Sequence, residues 1–102
     1  MNKGRIKTGL LYFSDMELRE QFEAAKAKTE SFTKRPSNDE LLELYALYKQ
    51  ATEGDISGER PGGFDFKALA KHNAWESKKG TTAEAAMQAY IMLVDKLLPQ
   101  YT

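Results

Sequence analysis

The sequence predicts an all-α domain, a bundle of four helices. Pairs of Ser or Thr with Glu three residues later stand ahead of stretches whose apolar residues recur at helical spacing. Glycine and proline punctuate the gaps between them, and no stretch shows the strict alternation of a half-buried strand. A chain of 102 residues holds one core. The expected division is an N-terminal extension over 1–13 and a single helical domain over 14–102.

The first helix is expected over residues 15–29. Ser14 and Glu17 form a capping box, Phe13 can pack on Leu18 as a hydrophobic staple, and Leu18, Phe22, Ala25 and Thr29 share one face. The second is expected over 38–53, capped by Ser37 with Glu40 and ended by Gly54. Leu41, Leu44, Tyr45 and Tyr48 make its main face, broadened by Leu42, Leu47 and Ala51, so it is buried along more than one stripe. Residues 54–63 hold four of the seven glycines and Pro61, which makes them an irregular loop. A shorter third helix begins at Asp65 as N-cap and continues through Trp75 towards Lys79 and Gly80. The last is expected over 82–98, capped by Thr81 with Glu84, with Ala86, Tyr90, Leu93 and Leu97 inward and Pro99 following.

Composition removes several function classes. With 41% hydrophobic and 29% charged residues the chain is of globular type, and 15 acidic against 15 basic side chains give no global field to attract nucleic acid or an anionic membrane. No cysteine is present and His72 is the one histidine, so thiolate or His-rich metal sites, disulfides and a cysteine nucleophile are excluded, and no metal or cofactor is expected. The apolar residues Leu10 to Phe13 are fewer than the roughly 7 to 15 of a signal-peptide core, and no apolar run approaches the roughly 18 to 20 residues of a membrane span. A cytoplasmic protein without stable membrane insertion is expected.

Candidate chemistry lies in two lysine pairs. Tyr45 and Lys49 are one turn apart on the second helix, Lys67 and Lys71 one turn apart on the third. If the glycine-rich loop lays these helices side by side, three ammonium groups and an aromatic ring converge, a combination suited to a phosphorylated nucleotide. The loop lacks the Lys-Ser/Thr of a phosphate-binding ATPase loop. Spacing alone leaves the alternative open that these lysines are solvated surface charges and that Tyr45, Tyr48 and Tyr90 are core aromatics.

The segment YALYKQATEGDISGERPGGFDFKALAKHNAWESKKGTTAEAAMQAYI resembles the acyl-CoA-binding protein family. The shared features are Tyr-x-x-Tyr-Lys-Gln-Ala-Thr, Gly-Asp, Arg-Pro-Gly, Lys-x-x-x-Lys, then Trp, Lys-Gly and Ala-Tyr. The likeness implies an up-down-down-up bundle with a bowl for the CoA head group and an apolar groove for the acyl chain. It implies ligand contacts from Tyr45 and Lys49, with Lys49 on the ribose 3'-phosphate, Lys71 at the phosphates and adenine, Lys67 near the head group, and Tyr90 closing the site. Ala46, Leu47 and Tyr48 fall in the same binding run, Leu47 chiefly as packing. The implied function is non-catalytic carriage or buffering of medium- to long-chain acyl-CoA thioesters by a monomer.

Two positions depart from the family pattern. Glu30 stands where many members carry a lysine late in the first helix, which shifts that phosphate contact to Lys26, Lys28 or Lys34 or removes it. His72 replaces a tryptophan, while Trp75 is kept. Two other functions remain to be separated from carriage. One is a helical module whose lysine faces meet an acidic protein; the other is an acyl-CoA enzyme, for which neither Ser57 nor Ser77 shows a base and acid in the sequence.

Overall fold

The computed structural model describes residues 15–102, so the extension over 1–13, the capping box at Ser14 and the staple at Phe13 lie outside the described residues. Four helices follow one another: α1 (Asp15–Lys28), α2 (Asn38–Glu53), α3 (Phe66–Glu76) and α4 (Ala83–Tyr101), with a 3-10 turn at Thr29–Ser31 after α1. The expected face of α1 is the one that is buried: Leu18, Phe22 and Ala25 are closed from solvent.

Local chemistry sets the helix starts. The Ser37 hydroxyl accepts from the Glu40 N–H at 3.1 Å and Glu40 Oε1 accepts from the Ser37 N–H at 2.9 Å, so α2 begins with both halves of its capping box. Asp65 caps α3 by accepting from the Ala68 N–H at 3.0 Å. At α4 the cap is displaced by one residue from the expected Thr81: Thr82 accepts from the Ala85 N–H at 3.0 Å. The Thr81 backbone belongs to the preceding turn, its N–H donating to the Lys78 carbonyl and its carbonyl accepting from Gln50 Nε2 at 2.9 Å. Glu84 is thus one position too early to complete a box.

Two helix ends also differ from expectation. α3 stops at Glu76, and a turn leads to Gly80, whose φ of 91° closes it. α4 does not stop before Pro99 but carries it inside the helix to Tyr101. The missing proline N–H frees only the carbonyl of Asp95, an exposed residue that water can serve. Tertiary contacts then hold the final turn. The Tyr101 carbonyl accepts from the Thr33 and Lys34 N–H groups at 2.7 and 3.0 Å, its hydroxyl donates to Glu40 Oε1 at 2.6 Å, and its ring meets Phe32 edge-on at 6.2 Å.

These contacts also fix the topology. Phe22 meets Tyr90 while Phe32 meets Tyr101, so α1 and α4 run parallel. Tyr48 meets Tyr90 while Glu40 meets Tyr101, so α2 opposes α4. Lys71 lies over Tyr45 and Trp75 beside Lys49, so α3 runs parallel to α2. The order is up, down, down, up. The core lies between α1, α2 and α4, where Phe22, Leu44, Leu47, Ala51, Ala86, Met87, Tyr90, Val94 and Leu97 pack together, and α3 contributes no buried residue to it.

Candidate functional site

Because α3 is parallel to α2 and outside the core, its inner face and that of α2 leave an open cleft of about 570 Å³. Leu41, Leu42 and Tyr45 line it from α2, Phe66, Lys67, Ala70 and Lys71 from α3, and Arg35 and Asn38 close one end. The volume falls in the ~300–1,000 Å³ range of small-molecule sites. Its wall is aliphatic and aromatic; its charges are Arg35, Lys67 and Lys71, all positive.

A second depression of about 260 Å³ adjoins it, lined by Ile56, Ser57, Glu59 and Pro61 of the loop and by Ala68, His72 and Trp75 of α3. Tyr45 and Lys71 border both cavities, with the Lys71 ammonium 5.2 Å from the centre of the Tyr45 ring. A cation seated on a ring at this distance is attracted by the negative face of the π system. It divides an apolar compartment from a more polar one.

With none of its residues fully buried, α3 is held in place by polar latches as well as by its half-buried face. Trp75 Nε1 donates to the Gly54 carbonyl at 2.9 Å, and Lys78 Nζ pairs with Glu43 at 2.6 Å. The Gly80 N–H and Gln50 Nε2 both donate to Asp55 Oδ1 at 2.8 Å. The Gly80 amide and then the Gln50 amide hold the Asp55 carboxyl below its ordinary pKa. Gln50 is fully buried, an unexpected core position on α2; its two amide hydrogens tie the end of α2 to both Asp55 and Thr81.

The sequence-derived residues separate into groups. Tyr45, Lys67 and Lys71 share the larger cleft. Lys49 lies 5.0 Å over the Trp75 ring and is paired with Glu53, whose hydrogen bond raises the lysine pKa against the effect of burial. Tyr48 stacks on Phe22 at 5.5 Å and carries the Lys26 ammonium 5.5 Å over its ring. Of the three lysines that could substitute at the Glu30 position, Lys26 is thus the one set against a tyrosine of the binding run. Ala46 and Leu47 are buried in the bundle. Tyr90 is 3% exposed and lines neither cavity; burial pushes its phenol up to about 12, and its ring is 5.1 Å from Phe22 and 6.1 Å from Tyr48.

Spacing alone did not single out Arg35, Asn38, Leu41, Leu42, Phe66 and Ala70 as cleft residues. The signal was present: 38, 41, 42 and 45 on α2 and 66, 67, 70 and 71 on α3 follow helical spacing. His72 faces the smaller cavity, with Nε2 3.8 Å from Glu76 Oε1. Ser57 lines the same cavity, and no hydrogen bond joins it to His72 among the described residues.

Comparison with known proteins identifies the family and the fold. The family model described as acyl CoA binding protein matches residues 19–94. The chain is 52% identical over 82 residues to an acyl-CoA-binding protein homolog of Drosophila melanogaster, covering 80% of this chain and 95% of that protein. It is 56% identical over 80 residues to the acyl-CoA-binding protein of Saccharomyces cerevisiae, covering 78% and 91%. Among solved structures, acyl-CoA-binding protein 2 of Oryza sativa superposes with a TM-score of 0.77 at 41% identity, over 81% of this chain and 92% of that one.

Proposed function

The chain belongs to the acyl-CoA-binding protein family, and from that premise we propose that it binds medium- to long-chain acyl-CoA thioesters and carries or buffers them in the cytoplasm as a monomer, without catalysis. The observation that carries this reading is the Lys71–Tyr45 contact at the boundary of the two cavities. A ligand with an anionic, aromatic head and a long apolar tail needs cations and a stacking ring beside a hydrophobic trough. Lys71, Lys67 and Tyr45 stand at the edge of a trough formed by Leu41, Leu42, Phe66 and Ala70.

Magnitudes divide the work. Each charge-assisted hydrogen bond from Lys71 or Lys49 to a phosphate contributes about 1.5–3 kcal/mol. A buried methylene contributes about 0.8 kcal/mol, so a sixteen-carbon tail supplies on the order of 10 kcal/mol before ordering costs. Tail burial therefore sets the preference for long chains, and the lysines with Tyr45 select CoA esters over free fatty acids. Lys49 must exchange Glu53 for a phosphate oxygen when ligand arrives.

Turnover requires an activated nucleophile or a placed base. The larger cleft is lined by neither a carboxylate nor a histidine, and Ser57 in the smaller one has no hydrogen bond to His72. Calorimetric titration with palmitoyl-CoA, acetyl-CoA and palmitate tests the reading: palmitoyl-CoA binds tightest of the three, and equal affinity for the two thioesters overturns the tail assignment. A product assay on palmitoyl-CoA is expected to show no free CoA above background.

A further inference from the structure

The two ends of the larger cleft carry different chemistry. At one end Lys71 lies over Tyr45, where the cleft meets the smaller cavity. At the other stand Arg35 and Asn38. Asn38 begins α2 and Tyr45 lies two turns further along it, so the ends are about 10 Å apart on the helix axis. Leu41, Leu42, Phe66 and Ala70 supply the apolar wall. A purely apolar tail that enters past Tyr45 has no use for a cation where it ends.

Nor is that cation engaged in holding the fold together. Arg35 Nη1 donates only a long 3.5 Å bond to the carbonyl of its neighbour Pro36, and it forms no ion pair among the described residues. The Asn38 side chain likewise makes no hydrogen bond among the described residues. We propose that Arg35 and Asn38 form a second anion subsite, for a carboxylate at the far end of the tail, so that the cleft accepts CoA thioesters of long dicarboxylic acids. This rests on the acyl-CoA reading above and names a substrate class within it.

The donors match that group. A guanidinium presents paired N–H donors that fit both oxygens of one carboxylate, and the Asn38 amide adds another. Lys67 lines the cleft as a further cation without an ion pair among the described residues. Asp39, Glu40 and Asp65 lie close to this end in sequence, but none lines the cleft, and Glu40 and Asp65 are engaged as helix caps. Arg35 is exposed, and an exposed ion pair adds little by itself. Discrimination comes from the alternative: a carboxylate held against Leu41, Leu42 and Phe66 with no partner loses water and gains nothing. A methyl terminus can rest on the same wall and leave Arg35 hydrated, so ordinary tails are accepted too.

Calorimetric titration of the full chain with palmitoyl-CoA, hexadecanedioyl-CoA, ω-hydroxypalmitoyl-CoA and succinyl-CoA tests the subsite. Wild type is expected to bind hexadecanedioyl-CoA as tightly as palmitoyl-CoA or more tightly. Arg35→Gln should lower the affinity for hexadecanedioyl-CoA relative to palmitoyl-CoA at least about fivefold. The same ratio for ω-hydroxypalmitoyl-CoA should stay constant, since that terminus carries no charge. For succinyl-CoA the substitution should have no such effect, because its carboxylate is too close to the thioester to reach Arg35. An unchanged ratio for hexadecanedioyl-CoA overturns the proposal. So does an equal loss with succinyl-CoA, which would set Arg35 at the head group. Palmitoyl-CoA binding in wild type alongside either of those results strikes the subsite alone, whereas no binding of any thioester strikes the acyl-CoA reading and the subsite with it.

Discussion

α4 and α3 are held to the same partner, α2, by opposite means. α4 buries Ala86, Met87, Tyr90, Val94 and Leu97, whereas α3 has no fully buried residue, only half-buried ones such as Leu69 and Ala70, and is tied by Trp75 to Gly54, by Asp55 to Gly80 and by Lys78 to Glu43. Burial of apolar side chains is strong but fills the space it uses. Point contacts hold a helix at a distance and leave the space between open. The difference teaches why the cleft lies on the α3 side: a fourth helix packed as tightly as α4 would have no room for a ligand.

The widest separation between the two sides is expected from Phe22→Ala. Phe22 is fully buried between Tyr48 and Tyr90, and its loss should cost about 3–5 kcal/mol in denaturant unfolding. A loss below about 1 kcal/mol would show that the aromatic cluster is not the centre of stability.

Alkaline pH acts on the same cluster. Tyr90 is raised from an ordinary 10.0 to about 12, chiefly by burial. Its neutral form is the one the fold favours, so the contribution is intact below the unfolded value near 10 and is lost as pH rises towards 12, up to roughly 2–3 kcal/mol. Unfolding curves across that interval should show the drop in wild type and not in Tyr90→Phe.

On the α3 side, Lys71→Ala should weaken acyl-CoA binding at least about tenfold, or about 1.4 kcal/mol, with the melting temperature unchanged. Unchanged calorimetric affinity would remove Lys71 from the site. The smallest effect is expected from Trp75→Phe, which deletes the 2.9 Å bond to the Gly54 carbonyl at a cost of about 1 kcal/mol. Amide hydrogen exchange should accelerate in α3 and not in α4; uniform acceleration would mean that α3 is not a separately latched element.

Much of the fold was legible in the sequence because its determinants are local. The Ser37–Glu40 box, the Asp65 cap and the 54–63 loop act within a few residues of themselves, and the spacing of Leu18, Phe22 and Ala25 names the buried face of α1 directly. The displaced start of α4 and its passage through Pro99 were not legible. The Thr81 carbonyl is held by Gln50 from the end of α2, and the last turn is fastened by Thr33, Lys34 and Glu40 from distant parts of the chain.

The candidate site divides along the same line. Sequence alone determined that Tyr45 shares a face with Lys49, and Lys67 with Lys71, since helical periodicity is a property of one segment. Only the tertiary structure decided that Lys71 sits on Tyr45 while Lys49 is turned to Trp75 and Glu53, and that Phe64 is left in water. Those outcomes depend on how far α3 stands from α2, and that distance is set by contacts between residues remote in sequence, to which no local pattern is sensitive.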